Sequence, residues 1–375
     1  MSAHLLFLVT EDWYFCSHRL ALARAARAAG YRVGVATRVR EHGEMIRDAG
    51  LELHPLGWRR GERRPWREAL AVVEIARLYR RLAPDIVHHV ALKPVVLGSL
   101  AARLARPAMV VNAVAGLGFA FASPGWRAAV LRPVLRAALR RALATRASSV
   151  VVQNPDDAAA VGALGVAADR CHLIPGSGVD TARFLPLPEP PGPPVAALVG
   201  RMLWDKGIGE MAEAGRLLRG QDVTLELVGA RDPDNPACVP EATLRAWDAS
   251  GAVRWHGAVD DVRAVWARAS IAVLPSYREG LPMSLLEAAA CGRPIVTTDV
   301  PGCREVVVDG ETGLLVPPRD PRALADAIAR LAADAVLRRR LGAAARRRVE
   351  AQFAREIVVG QTLDLYARLL AGRGT

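Results

Sequence analysis

Short apolar runs alternate with amphipathic segments in the first half of the chain. The predicted strands are residues 5–9, 32–36, 86–87, 109–114 and 149–152. A helix is predicted over residues 17–29, ending at Gly30, and Asn154-Pro155 has the residue types of a helix start. Strands that alternate with helices predict parallel sheets with helices on both faces.

A proline-rich segment, FLPLPEPPGPP at residues 184–194, interrupts this pattern. Proline cannot continue a helix or a central strand, so the segment predicts a semi-rigid linker. The alternation then restarts, with predicted strands at 195–199, 224–228, 253–255, 271–274 and 295–297 and helices from Pro321 onward. A length of 375 residues suits two domains. We therefore expect an α/β protein of two Rossmann-like, doubly wound domains that face each other across a cleft.

Charge and cysteine content narrow the classes of protein. The net charge of +12 fits an anionic partner, and it fits a solvated arginine-rich surface equally well. Five cysteines without a C-x-x-C pair argue against a disulfide framework and a structural zinc site, and they fit a reducing cytosol. The first residues do not have the pattern of a signal peptide. No apolar stretch reaches the roughly 18 residues that a bilayer-spanning helix needs.

The first chemical motif is Gly200-Arg201-Met-Leu-Trp-Asp-Lys206-Gly207, directly after a predicted strand. Glycine allows a tight turn at the strand end, and Arg201 and Lys206 place two cations before the next helix. An arginine fork and a lysine point charge suit a diphosphate. A basic surface loop would have the same composition, so this motif alone stays ambiguous.

The second motif contains two glutamates, Glu279 and Glu287, separated by seven residues. Glu279 ends a loop after the strand at 271–274, and Glu287 lies about one turn into the following helix. The segment between them would direct backbone N–H groups of a helix N-terminus toward an anion. Because that helix is unusually apolar, a carboxylate on it needs partners, and this favours a function for Glu287 over a surface charge.

These motifs resemble family 4 retaining glycosyltransferases of the GT-B fold. The resemblance rests on VGRMLWDKG, on the two glutamates, on VGARDPDNPAC and SGAVRWHG, and on the run from VLPSYREGLPMSLLEAAACG to GLLV. Within the family, the chain is similar to bacterial transferases that extend sugars linked to a polyprenyl diphosphate. The similarity is dense over residues 195–316. It is thinner in the N-terminal half, where SHRLAL, HHVALKP and VAGLGF carry it.

The resemblance implies a role for each matching residue. Arg201 and Lys206 would bind the donor diphosphate and neutralise the leaving group without a metal, Glu279 would be the third catalytic residue, and Glu287 would hold the ribose. The expected donor-binding residues are Gly200, Arg201, Lys206, Gly229, Gly257, Glu279, Gly280, Leu281, Pro282, Met283, Ser284 and Glu287. The donor would be a UDP-sugar, which is a substrate, and no cofactor is expected.

The domain assignment follows from the same resemblance. Residues 1–185 would form an acceptor-binding, membrane-facing domain, residues 186–352 the nucleotide-sugar domain, and residues 353–375 a helix that packs back toward the first domain. Expected acceptor-binding residues are His18, Arg19, His89 and Lys93. Many relatives have a histidine just before the position of Lys93, but this chain has Leu92 there. For His88 and His89 a packing role is as consistent with the sequence as a catalytic one.

Two weaker motifs do not change this interpretation. Gly207-Ile-Gly209 matches part of the dinucleotide fingerprint, but it lies too far from the preceding strand. Asp232-Pro-Asp234 has the spacing of a metal motif, but its prolines favour a turn.

Two arginine-rich segments, residues 58–67 and 126–146, predict contact with a membrane surface. The first, WRRGERRPWR, includes Trp58 and Trp66, and the second contains no acidic residue. Basic amphipathic segments with tryptophan are typical of the lipid interface. A core-packing helix with a solvated edge and a nucleic-acid patch are the alternatives, but no nucleic-acid-binding fold accompanies the arginines.

The sequence therefore predicts a cytoplasmic, peripheral membrane enzyme. It would transfer a hexose or N-acetylhexosamine from a UDP-sugar to a polyprenyl-diphosphate-linked saccharide in bacterial glycan assembly. Two alternatives stay open: a family 4 transferase with a soluble acceptor, and a non-catalytic nucleotide-binding subunit.

Overall fold

The chain folds into two α/β units, each built on its own parallel sheet. The computed structural model describes residues 2–59, 61–62, 64–107, 109–114, 126–143 and 148–372, with the backbone alone for 126–132, 134 and 135. The N-terminal unit comprises Met1–Ser177 and Val358–Thr375, and the C-terminal unit comprises Gly178–Ile357.

Seven parallel strands form the sheet of the N-terminal unit, counted over the described residues. They are β1 (His4–Glu11), β2 (Arg32–Arg38), β3 (Glu52–Pro55), β4 (Ile86–Val90), β5 (Met109–Val114), β6 (Ser148–Val152) and β7 (Cys171–Leu173). Their order in the sheet is β3-β2-β1-β4-β5-β6-β7. The helices are α1 (Asp12–His18), α2 (Leu20–Ala28), α3 (Gly43–Asp48), α4 (Pro65–Leu82), α5 (Leu92–Ala105), α6 (Trp126–Leu143) and α7 (Pro155–Ala163).

Strand β1 shows that helices cover both faces of this sheet. Leu5 and Phe7 belong to a hydrophobic cluster that includes Tyr366, which lies on the C-terminal helix. Leu6 and Leu8 point the other way, into a second cluster that contains Ile75 of α4. Alternate side chains of a strand point to opposite faces, so a strand that is apolar at every position is one buried on both sides.

Six parallel strands form the sheet of the C-terminal unit, again among the residues described. They are β8 (Val195–Val199), β9 (Thr224–Val228), β10 (Arg254–Trp255), β11 (Ile271–Leu274), β12 (Ile295–Thr298) and β13 (Gly313–Val316), in the order β10-β9-β8-β11-β12-β13. The helices are α8 (Ile208–Leu217), α9 (Glu241–Ala249), α10 (Val262–Arg268), α11 (Met283–Ala290), α12 (Cys303–Val306), α13 (Pro321–Ala333) and α14 (Ala335–Gln352). A last helix, α15 (Arg355–Ala371), begins in this unit and belongs to the N-terminal unit from Val358 onward.

The predicted strands are all present, and the Asn154 cap is confirmed because its side chain accepts from the Asp157 amide. The helix predicted over 17–29 is confirmed for α2, which ends before Gly30, but its predicted start at residue 17 is wrong. Helix α1 begins earlier, at Asp12, whose carboxylate accepts the amides of Trp13, Arg40 and His42. It ends before Arg19, whose φ and ψ of −127° and −12° separate it from α2.

The proline-rich segment at 184–194 is irregular, as predicted, but it is part of the C-terminal unit. That unit starts at Gly178, earlier than the expected residue 186, because Val179 and Phe184 pack in its core. Arg346 donates to the Phe184 carbonyl and the buried Arg293 to the Pro188 carbonyl, so two guanidinium groups hold the segment in place.

Candidate functional site

Three glycines lie side by side at the carboxyl ends of neighbouring strands in the C-terminal unit. Gly200 follows β8, Gly229 follows β9 and Gly257 follows β10. The Gly200 amide donates to the Val228 carbonyl at 2.9 Å, and the Gly229 amide donates to the Gly257 carbonyl at 2.6 Å. A Cβ atom on Gly229 would lie 1.8 Å from the Gly200 oxygen. The three loops therefore meet through backbone alone, at the sheet edge where doubly wound folds bind ligands.

Arg201 and Lys206, the two cations of the loop after β8, each contact a carboxylate. Arg201 Nη1 lies 2.6 Å from Asp232 Oδ2, and Lys206 Nζ lies 2.5 Å from Glu279 Oε1. The Arg201 side chain is still 42% exposed, so much of its donor fork can reach a ligand. Asp232 is occupied by this ion pair, and the described residues contain no group of three or more His, Cys, Asp or Glu side chains placed to hold a metal ion.

The Lys206 loop and the loop that carries Glu279 are fastened to each other. Gly207 has a φ of 71°, and a Cβ atom there would lie 2.2 Å from the Pro275 carbonyl oxygen, so the two backbones touch. The Tyr277 amide donates to the Asp205 carbonyl at 3.0 Å, and its hydroxyl donates to Glu210 at 2.6 Å. Burial and the bond to Glu210 raise the pKa of Tyr277, which keeps it a neutral donor. The cation and the carboxylate are thus held at a defined separation.

Three residues beneath Glu279, for which no role was predicted, support its carboxylate and backbone. Ser276 Oγ donates to Glu279 Oε1 at 2.6 Å, and Thr298 Oγ1 donates to the Ser276 carbonyl. Gly302 has a φ of 83°, and a Cβ atom there would lie 2.6 Å from the Glu279 carbonyl oxygen. Gly302 follows β12 in the sequence, and a glycine at such a position can indicate that another backbone segment lies close to it. The two hydroxyl contacts depend on strand pairing and have no local signal.

Helix α11 follows the Glu279 loop and contributes both a helix N-terminus and Glu287. Its first two amides, Met283 and Ser284, have no backbone acceptor in the described chain, and the neighbouring Leu281 side chain is buried. Burial raises the pKa of Glu287 to about 7, although Arg183 and Arg355 oppose the shift. The half-buried Glu287 carboxylate has no hydrogen-bond partner within the described residues, so it can accept from or donate to a hydroxyl of a ligand.

His89, one of the expected acceptor residues, lies in the core of the N-terminal unit. It has no exposed surface, and its ring nitrogens bond to the Tyr79 hydroxyl at 2.9 Å and to Asn112 Oδ1 at 2.8 Å. Burial lowers the pKa of His89 to about 4, so the ring is neutral. The expectation that His89 contacts an acceptor is therefore corrected: its two partners already satisfy it beneath α5.

The other three expected acceptor residues occupy separate places. His18 ends α1, stacked on Tyr14 with ring centroids 4.2 Å apart. Arg19 is buried, and its Nη1 donates to the Gly176 carbonyl at 3.2 Å. Lys93, in the first turn of α5, donates to Glu68 at 2.7 Å.

Lys93 also borders a cavity of about 290 Å³, whose lining includes Trp58, Glu62, Arg67, Glu68 and Leu70. The ammonium group lies 5.9 Å from the Trp58 ring centroid. Lys93 therefore lies at a cavity on the surface of the N-terminal unit.

Comparison with known families identifies the class of protein to which these two parallel α/β units belong. Residues 193–334 match the model for glycosyl transferases group 1, and residues 4–154 match the model for glycosyl transferase 4-like proteins. The two matches together span most of the chain. The protein belongs to the family 4 glycosyltransferases, with the α/β GT-B fold. The predictions of a family 4 glycosyltransferase and of two Rossmann-like α/β domains are confirmed, although residues 115–119 of the VAGLGF motif lie outside the described chain.

Individual relatives agree with this assignment. The chain is 28% identical over 326 residues to N,N'-diacetylbacillosaminyl-diphospho-undecaprenol alpha-1,3-N-acetylgalactosaminyltransferase of Campylobacter jejuni, covering 84% of this chain and 85% of the relative. Sucrose-phosphate synthase of Thermosynechococcus elongatus has a TM-score of 0.82 at 24% identity, covering 99% of this chain and 100% of that one. HepE of Anabaena, in complex with UDP and glucose, has a TM-score of 0.80 at 18% identity, covering 98% and 100%. The two structures are similar in fold.

Proposed function

We propose that this glycosyltransferase moves a hexose or N-acetylhexosamine from a UDP-sugar to a saccharide linked to a polyprenyl diphosphate, with retention of configuration and without a metal. The observation that carries the proposal is the site in the C-terminal unit. There, Arg201 and Lys206 lie in the loop after β8, and the Glu279 carboxylate lies against Lys206. UDP is proposed because HepE, which shares the fold, was solved with UDP and glucose.

The donor would use each part of this site. The exposed Arg201 fork and the Lys206 ammonium would contact the diphosphate, and the free amides at the start of α11 would add uncharged donors. Glu287 would bind the ribose hydroxyls, and Glu279 with the backbone of residues 280–283 would contact the transferred sugar. As the glycosidic bond breaks, the two cations would neutralise the charge that develops on the UDP leaving group.

Retention would follow from attack on the same face of the sugar that UDP leaves. We propose that the acceptor hydroxyl attacks within a short-lived ion pair, without a covalent intermediate on the enzyme. The leaving diphosphate, held by Arg201 and Lys206, would receive the proton of that hydroxyl. The products are UDP and the extended saccharide.

The lipid-linked acceptor is proposed from the name of the Campylobacter jejuni relative, which carries a diphospho-undecaprenol group. Arg19 and Lys93 are the cations of the N-terminal unit proposed to meet such an anion, and His18 is proposed as a polar contact. A soluble acceptor or a non-catalytic nucleotide-binding role are the outcomes that would replace this proposal.

The outer face of α4 supports a peripheral position on the cytoplasmic side of the membrane. Trp66 and Leu70 lie one turn apart on it and are 62% and 65% exposed, and arginines flank them. Trp58 is buried, so the expectation that both tryptophans of residues 58–67 face lipid is corrected. For most residues of the segment 126–146 the structure does not describe the side chains, so the prediction for that segment stays a prediction. Among the helices described, none is long and apolar enough to cross a bilayer.

UDP release tests the proposal. The purified protein is offered UDP-GlcNAc, UDP-GalNAc, UDP-glucose and UDP-galactose, each with and without undecaprenyl-diphosphate-linked saccharide, and Glu287→Ala serves as the control. Lipid-dependent release from one donor, lost in the variant, supports the proposal. Release with a soluble sugar acceptor instead would replace the acceptor, and no release from any donor would favour the non-catalytic role.

Liposome flotation tests the membrane position separately. Vesicles with and without anionic lipid are mixed with the wild type, with Leu70→Glu on α4 and with Leu185→Glu. Leu185 is 58% exposed and belongs to the C-terminal unit, so it is a matched control. Binding to anionic vesicles that Leu70→Glu alone weakens supports the α4 surface, whereas equal flotation of all three proteins contradicts it.

A further inference from the structure

Two different donors hold the same oxygen of Glu279. Lys206 Nζ lies 2.5 Å from Oε1, and Ser276 Oγ donates to that oxygen at 2.6 Å. The Ser276 side chain has no exposed surface, and its carbonyl accepts from Thr298 Oγ1 at the end of β12. Thr298 at the end of β12 therefore holds the Ser276 backbone, and the Ser276 hydroxyl holds the Glu279 carboxylate.

The two donors differ in how far they can move. Lys206 has a four-carbon stem and is 22% exposed, so its ammonium can turn toward an anion that enters the site. The Ser276 hydroxyl is one bond from Cβ and is enclosed, so it stays where the strand places it. Once Lys206 turns to a diphosphate, Ser276 is the remaining side-chain donor to Glu279 in the described site.

We infer that Ser276, fixed in turn by Thr298, is a positioning residue that keeps the Glu279 carboxylate aimed at the transferred sugar while Lys206 contacts the diphosphate. This inference rests on the proposed function, because it gives Lys206 and Glu279 their substrate contacts. It also assigns a separate role to each oxygen of Glu279: Oε2 contacts the sugar, and Oε1 accepts the hydrogen bond from the buried Ser276 hydroxyl.

Strand β12 supplies a matched control for a merely structural role. Thr297 and Thr298 are adjacent and almost fully buried, and each donates its hydroxyl to a carbonyl of the β11 segment. Thr297 bonds to the Leu274 carbonyl at 2.6 Å, whereas the Thr298 bond continues through Ser276 to Glu279. If these hydroxyls only stabilise the sheet, removing either one has the same consequence.

The experiment compares Ser276→Ala, Thr298→Val, Thr298→Ser and Thr297→Val with the wild type. Turnover is followed as UDP release from the sugar donor that the wild type consumes, UDP affinity is measured by calorimetry, and Tm is measured by thermal unfolding.

We expect Ser276→Ala to lower kcat by about tenfold or more, because a bond to a charged group is lost, while Kd for UDP changes by less than about twofold. Thr298→Val should lower kcat by a smaller factor, and Thr298→Ser, which keeps the hydroxyl, should restore it. Thr297→Val should lower Tm as much as Thr298→Val with kcat unchanged.

The outcomes either support or overturn the positioning role of Ser276. Wild-type kcat in Ser276→Ala, or an equal loss of kcat in Thr297→Val and Thr298→Val, overturns the positioning role. If Lys206→Ala is inactive while Ser276→Ala is fully active, the inference fails and the proposed function stands. If the wild type releases UDP from no donor, both fail together.

Discussion

The two lysines of the chain show how differently the two units build their sites. The 50 basic residues include only these two, Lys93 in the N-terminal unit and Lys206 in the C-terminal unit. Each lies just beyond the carboxyl end of a strand, and each contacts a glutamate, Glu68 at 2.7 Å and Glu279 at 2.5 Å. In a chain that uses arginine almost everywhere else, a compact ammonium group is retained at one sheet edge of each unit.

Their surroundings are different. Around Lys206, glycines let backbone segments touch, as at Gly207 and Gly229, so the loops have little freedom. Around Lys93, the contacts come from other parts of the sequence: the Glu68 carboxylate and the Trp58 ring, which are side chains, and one backbone group, the Arg59 carbonyl. A site built by backbone suits a constant group such as a nucleotide diphosphate. A site built by side chains can change its residues without disturbing the sheet, which suits the acceptor contact proposed for Lys93.

The largest effect is expected from Lys206→Ala. Loss of one preorganised charge at the leaving group raises the barrier by about 3–4 kcal/mol, so turnover should fall by about 10²- to 10³-fold. UDP release at saturating donor measures the loss, and circular dichroism verifies that the fold persists. Near-normal turnover would remove Lys206 from the mechanism.

Gly229→Ala tests whether backbone contact builds the donor edge. The new Cβ atom would lie 1.8 Å from the Gly200 oxygen, so the two loops must separate, and we expect UDP affinity to fall more than about tenfold together with Tm. Gly257→Ala is the control, because its φ of 69° is strained but no atom lies within 4 Å of the new Cβ. Equal UDP affinity in the two variants would contradict this account.

Lys93→Ala should have a smaller and more selective effect. Because Lys93 is proposed to meet the acceptor, the variant should raise the KM for the lipid-linked acceptor several-fold and leave UDP affinity unchanged. Steady-state kinetics with varied acceptor measures this. A change confined to the KM for the UDP-sugar would place Lys93 on the donor side and remove the contrast between the two lysines.

The smallest effect is a pH dependence of stability at Glu287. Burial raises its pKa from 4.5 to about 7 in the folded protein. The folded state therefore binds a proton that the unfolded state has released, and this contribution to stability is lost as pH rises from 4.5 through 7. Glu287→Gln should thus gain in Tm relative to the wild type as pH rises across that window. A constant Tm difference would show that the carboxylate is solvated and ordinary.

Local signals in the sequence predicted the strand ends of the C-terminal unit well. The strand ends after residues 199, 228 and 274 are observed where the apolar runs stop, and the glycines that follow the first two lie at one edge. Backbone sterics make such glycines informative, because a tight turn or a close approach limits the position to that residue. Histidines were less informative. His89 has the same local context whether it lines a pocket or bonds to Tyr79 and Asn112 in the core.

The sequence by itself determined the alternation of strands and helices, the cation loop and the two glutamates, because each depends on neighbours within a few residues. The tertiary structure decided which side chains those groups meet. Ser276 and Thr298 come together because β11 and β12 pair in parallel, with Leu274 opposite Thr297. Arg201 meets Asp232 from the next loop along the sheet. Contacts between strands depend on sheet order and register, and these are fixed by packing across the whole unit rather than by any short stretch of residues.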